Sequence, residues 1–207
     1  MSGYIFWYIW QSYFFKKKIN DDTTSSLRIE KIGIFRRFIE VEKIKIEKNT
    51  VQETLIIPLY GRKMCSEKFS ALYTDIYAKK LCDRLDYDFS ELEKKNNSFL
   101  YEFGALEAAM RQLDIIWEIK EYLKIYPKAT IVNLGCGLDE TGKACDNGSC
   151  SIVNVDFPDV INVRNQLISN HEREKNVACD LKDYSWMNEV DGSNGVVFFA
   201  AGVFHYL

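Results

Sequence analysis

Apolar residues recur at three- and four-residue steps in two stretches of the chain. Across residues 66–85 the series is Phe69, Leu72, Tyr73, Ile76, Ala78, Leu81, Cys82 and Leu85, which predicts one helix. Residues 103–125 carry the stronger series: Leu106, Ala109, Met110, Leu113, Ile116, Trp117, Ile119 and Leu123. Pro127 predicts its end. Between the two, residues 86–90 read as a turn. Ser90 is the expected cap of a short helix through Leu92, with Glu93 at the capping-box position. Residues 27–48 are ambiguous. They mix charge with Ile and Phe as a helix would, but Val41, Lys43, Ile44, Lys45 and Ile46 alternate as a strand would.

After Pro127 the pattern changes. Four short apolar runs, 130–134, 151–155, 176–179 and 195–200, have the length and composition of strands. Residues 159–169 read as a helix between the second and third. Strands alternating with helices predict an α/β fold with a doubly wound parallel sheet. The unbroken Ile-Val and Val-Val-Phe-Phe runs suit strands buried on both faces.

The N-terminal stretch follows neither pattern. Residues 4–15 are almost all aromatic or Ile, and Lys16, Lys17 and Lys18 follow. A spanning helix needs ~20 apolar residues, and this run is about twelve. A signal peptide carries its positive charge ahead of the apolar run, not behind it. A membrane-surface anchor over residues 4–18 is one reading. The preferred expectation is an extension over residues 1–41 that is foreign to the natural protein, translated from a start codon set too far upstream in AT-rich DNA. Residues 20–26 read as a polar linker.

Composition narrows the class. With 207 residues, 47% of them hydrophobic, the chain can bury a sizeable core. A net charge of −3 argues against a nucleic-acid partner. Six cysteines without a secreted disulfide framework read as reduced thiols, so a cytoplasmic location is expected. As a metal site Cys136, Cys145, Cys150 and Cys179 fail on spacing. The gap from Cys145 to Cys150 is wider than a zinc knuckle, and His171 and His205 are distant, so no metal is expected.

Candidate chemistry centres on the first strand after Pro127. It runs straight into the Gly135-Cys136-Gly137 turn, where missing side chains let the backbone approach a ligand. The second strand ends on Asp156, about twenty residues after the glycines, a spacing at which a carboxylate accepts from ribose hydroxyls. Together they point to a nucleoside-containing cofactor. A ligand-free tight turn, and Asp156 as cap of the helix opened by Pro158, are the structural alternatives.

From about Val51 onward the chain resembles the leucine carboxyl methyltransferase family, which includes polyketide O-methyltransferases and belongs to the class I S-adenosylmethionine-dependent methyltransferases. The matching text is Phe103-Gly-Ala-Leu-Glu-Ala-Ala-Met-Arg111-Gln-Leu-Asp114, Leu134-Gly-Cys-Gly-Leu-Asp139, Val155-Asp-Phe-Pro-Asp-Val-Ile161, Cys179-Asp-Leu181 with Trp186, and Phe199-Ala-Ala-Gly-Val-Phe-His-Tyr206. The resemblance implies S-adenosylmethionine as cofactor. It implies that Arg111 pairs with the cofactor's carboxylate, that Asp180 and the Leu181 amide address its adenine, and that Tyr206 lines the substrate side. It also implies a Rossmann-like sheet of which this chain holds the first four strands, ordered 3-2-1-4. The domain expectation is then an extension over 1–47, a helical cap over 48–126 lying on the cofactor, and half of the cofactor-binding domain over 127–207. A half sheet is expected to be poorly soluble and weakly active at best, with its fourth strand a bare edge.

Two departures from the family pattern stand out. Ala201 replaces an acidic residue near the fourth strand, and Leu138-Asp-Glu-Thr141 lacks the arginine that commonly ends the glycine motif. The expected reaction is methyl transfer to a carboxylate or hydroxyl of a small-molecule acceptor, with no base named. The alternatives are a nicotinamide dinucleotide enzyme and a non-catalytic module. The first would need a third glycine at position 140, where Glu stands.

Overall fold

The computed structural model describes residues 43–203 apart from Asn97. The expectations for residues 1–42, and those for His205 and Tyr206, lie outside the described residues. In chain order the elements are β1 (Ile44–Lys45), a 3₁₀ turn (Val51–Leu55), α1 (Ile56–Lys68), α2 (Ile76–Asp83), β2 (Leu85–Asp86), α3 (Ser90–Lys95) and α4 (Phe99–Ile125). Then follow β3 (Thr130–Leu134), α5 (Thr141–Ala144), β4 (Ser151–Asp156), α6 (Pro158–Leu167), β5 (Glu174–Ala178), a second 3₁₀ turn (Tyr184–Glu189) and β6 (Val196–Phe199).

The four longer strands form one parallel sheet in the order β5-β4-β3-β6. Counted from β3, that is 3-2-1-4. β3 pairs with β4 from Thr130↔Ser151 to Leu134↔Val155, and with β6 from Thr130↔Val196 to Asn133↔Phe199. Both central strands are buried almost throughout, as parallel strands covered on both faces must be. Alternation sorts their side chains. Ile131 and Ile152 pack against Ile119 and Leu123 of α4, whereas Val132, Val153 and Val155 pack against Trp186. This is an α/β, Rossmann-like arrangement.

The helix expected over 66–85 is two helices. α1 ends at Lys68, and α2 begins only after Asp75, whose Oδ1 accepts from the Tyr77 and Ala78 amides at 3.0 and 2.9 Å. A helix start that strong satisfies donors a continuous helix would have bonded elsewhere, so it breaks the periodic series. Ser90 is not a cap either: the N-cap is Phe89, one residue earlier than expected, and Asp88 Oδ1 accepts from the Ser90 amide at 3.0 Å. α4 starts four residues before the predicted 103 and stops at Ile125, two short of Pro127. The third strand runs from Glu174 to Ala178, two residues earlier at its start than the expected 176, and residues 141–144 form a helical turn.

Ile44 and Lys45 pair in parallel with Leu85 and Asp86, and Ile46 is buried. The helical layer and the sheet side of the described residues are joined by packing. The join is a shared apolar cluster: Leu59, Met64 and Leu81 of the helical layer meet Leu138, Val160, Val163 and Leu167.

Candidate active site

The site forms where β3, β4 and β5 end together. Gly135 and Gly137 both have positive φ, +67° and +48°, which glycine adopts without the penalty a Cβ would bring. The turn is tied to the next strand. The Gly135 and Cys136 amides donate to Val155 O at 2.9 and 3.1 Å, and Gly137 N–H donates to Asp156 Oδ2 at 2.7 Å. The other oxygen of Asp156 accepts from the Phe157 amide at 2.8 Å. Asp156 therefore anchors the glycine turn. It makes no side-chain cap bond to α6, whose N-cap is Phe157. Each carboxylate oxygen keeps a second lone pair for a ligand hydroxyl. Burial raises the Asp156 pKa above the ordinary carboxylate value, and the two amide bonds and Arg164 only partly offset it.

Gly135, Asp156, Asp180 and Leu181 line one cleft, together with Phe157, Cys179, Lys182 and Val203. The sequence expectation thus gathers four of its residues around a single space. Asp180 Oδ1 accepts from the Lys182 amide at 2.9 Å. Among the described residues, Asp180 Oδ2 and the Leu181 amide have no protein partner. An acceptor and a donor left open side by side fit the edge of a heterocycle such as adenine.

The other expected residues stand differently. Arg111 is exposed on α4 and has no hydrogen-bond or ion-pair partner among the described residues. A Cβ on Gly202 would lie 3.8 Å from its Nη2, so it borders the segment after β6, not the cleft itself. The Cys136 thiol is 1% exposed and lines no part of the cleft; burial pushes its pKa up to about 12. Gly137 turns its amide to Asp156 and its carbonyl to Arg164.

The cleft holds about 80 Å³, well below the roughly 300 Å³ at which small-molecule pockets begin. Val203 sets the limit: a Cβ on Gly135 would meet Val203 Cγ2 at 2.6 Å. A larger cavity of about 410 Å³ lies in the helical layer among Lys43, Tyr60, Lys63 and Phe89. No cofactor candidate lines it, so volume is a poorer guide here than convergent polar groups.

Sequence reasoning missed two arginines. Arg164 on α6 is 0% exposed. Its Nη1 donates to Gly137 O and Asp139 O at 3.0 and 2.6 Å, and its Nε donates to Asn176 Oδ1 at 3.2 Å. Glu174 lies 3.6 Å from its Nη2. Arg62 on α1 donates through Nη2 to Leu138 O at 2.9 Å. The one available signal for Arg164 was a charge placed on the inward stripe of a helix, beside Val160, Ile161, Val163 and Leu167. Among the described residues no group of three or more His, Cys, Asp or Glu converges as a metal site, and no helix is long and apolar enough to cross a membrane.

Comparison with known proteins identifies the family. The family profile "Leucine carboxyl methyltransferase" matches residues 59–207. The chain is 28% identical over 159 residues to the tetracenomycin polyketide synthesis O-methyltransferase TcmP of Streptomyces glaucescens, covering 76% of this chain and 56% of that protein. It is 28% identical over 161 residues to the S-adenosyl-L-methionine-dependent methyltransferase dpfgK of Gibberella zeae, covering 72% of this chain and 53% of that one. The chain spans about half the length of these curated relatives. With its profile match running over most of the chain and through every strand of the site, the chain belongs to the leucine carboxyl methyltransferase family.

Proposed function

We propose that the chain binds S-adenosylmethionine at the ends of β3, β4 and β5 and takes part in methyl transfer to an oxygen, either a carboxylate or a hydroxyl of a small-molecule acceptor. One observation carries the reading: Gly135, Asp156, Asp180 and Leu181 share a single cleft inside the family match. The names of the relatives support oxygen as the acceptor atom and S-adenosylmethionine as the donor.

The residues divide the work by chemistry. Asp156 accepts from the ribose hydroxyls while keeping the glycine turn in place. Asp180 and the Leu181 amide face the adenine edge. Arg111, a free guanidinium by the segment after β6, is the candidate partner for the cofactor's carboxylate, a bidentate role that suits its planar fork. The bound cofactor supplies a methyl group already activated by the sulfonium charge. The protein's part is then alignment and exclusion of water. A carboxylate acceptor is nucleophilic at neutral pH and needs no base from the chain.

Calorimetric titration of the 207-residue chain tests this. S-adenosylmethionine is expected to bind, and Asp180→Ala to weaken it by about tenfold or more, the scale of one lost hydrogen bond to a charged group. Binding of NAD without binding of S-adenosylmethionine overturns the reading.

A further inference from the structure

Three consecutive carbonyls follow the glycine turn, and each accepts from a guanidinium. Arg164 holds Gly137 O and Asp139 O, and Arg62 holds Leu138 O between them. The two arginines come from different layers, Arg164 from α6 beside the sheet and Arg62 from α1 in the helical layer.

Arg62 is fixed on both sides. Its Nη1 lies 3.2 Å from Asp75 Oδ2 and 3.7 Å from Asp139 Oδ1, and its side chain is 12% exposed. Asp75 spends its other oxygen on capping α2. Gln112 of α4 joins the same set. It donates through Nε2 to Asp139 Oδ1 and Thr141 Oγ1, both at 2.9 Å, and accepts from the Tyr73 hydroxyl. Asp139 Oδ1 also accepts from the Thr141 amide at 2.8 Å. α1, α2 and α4 thus reach residues 138–141 through one connected network.

We propose that Arg62 is a positioning residue. It holds the loop after the glycine turn in the shape that meets the amino-acid end of the cofactor, and so links cofactor affinity to the docking of the helical layer. This rests on the proposed function for its ligand, but not for its geometry. A guanidinium spans a carbonyl and two carboxylates at once, which an ammonium, a point charge, does less completely.

The test is amide hydrogen exchange on wild type, Arg62→Met and Arg62→Lys, read at Asp139 and Thr141, whose amides are bonded within this loop. In Arg62→Met their exchange is expected to rise by about tenfold or more, the scale of a lost charged hydrogen bond, with Ile152 to Val155 unchanged. Arg62→Lys recovers part of the protection. S-adenosylmethionine affinity, by calorimetry, falls in the same order. Unchanged exchange at both amides overturns the proposal, as does a rise shared equally by β4. If Arg62→Met does not fold, Arg62→Lys carries the test by itself, and wild-type protection in it overturns the proposal. If wild type takes up no S-adenosylmethionine while Arg62→Met still frees these two amides, the proposed function fails and the loop clamp stands.

Discussion

Asp156 shows how one side chain serves shape and chemistry together. Its oxygens accept from Gly137 and Phe157, yet burial outweighs both bonds and raises its pKa. The sign of the linkage follows. Between the ordinary carboxylate pKa and the raised native one, the native state binds more protons than the unfolded chain. This group's contribution to stability therefore grows as pH falls through that window, and its cost is felt at neutral pH. A carboxyl-carbon NMR titration of Asp156 is expected to give a midpoint above the model-peptide value; a lower midpoint means that the amides win. Asn133 is a second residue with a clear expectation. It is 1% exposed, next to last in β3, and neither polar side-chain atom has a partner among the described residues. Asn133→Val removes two unpaired polar atoms and suits a strand, so stability should rise by about 1–2 kcal/mol in urea denaturation. Its neighbour in register, Asn154, is no such target: its Nδ2 donates to Glu174 and Asn176.

At the scale of elements, α6 ties the helical layer to the glycine turn. Its Val160, Val163 and Leu167 meet the helical layer, while Arg164 on the same helix reaches under the glycine turn. Arg164→Met is expected to cost roughly 3–5 kcal/mol, because Glu174 would be left buried without its guanidinium. Thermal unfolding measures this, and a loss below about 1 kcal/mol would show that the pair is dispensable. Such elements mark what a sequence reveals. The four parallel strands and α4 were legible from apolar runs and periodicity, because burial on both faces and a long inward stripe each leave a repeating mark. The break between α1 and α2 was not, since Asp75 reads as one polar residue among many until its capping bonds are known. Gly135 and Asp156 were legible from spacing, because neighbouring parallel strands end at the same sheet edge; Asp180 and Leu181 came only through the resemblance, since a loop acid after a strand has no mark of its own, and the cleft they share with the other two appears only in the fold. Arg62 and Arg164 were not. They act on backbone carbonyls, which have no sequence identity.

At the scale of the whole molecule, the sheet formed by the described residues has an uneven pair of edges. β5 carries Glu174, Lys175 and Asn176, whereas β6 is Val-Val-Phe-Phe with Phe198 53% exposed. An apolar edge strand invites pairing with other chains. Phe198→Lys is expected to lower concentration-dependent light scattering of the 207-residue chain without loss of secondary structure by circular dichroism. Equal scattering from both proteins would place the sticky surface elsewhere.

The pairing of β6 with β3 also carries a consequence in time. The central strand waits for a neighbour made about 66 positions later. At a synthesis rate of 5–20 residues per second, that is a delay of roughly 3 to 13 s. β4 emerges first and covers one flank of β3 during that interval, with β5 adding to the far side of β4. The other flank, beside Ile131 and Val132, stays open until Val196 to Phe199 arrive. During synthesis, then, the strand that later holds the glycine turn is the last of the two central strands to have both its edges paired.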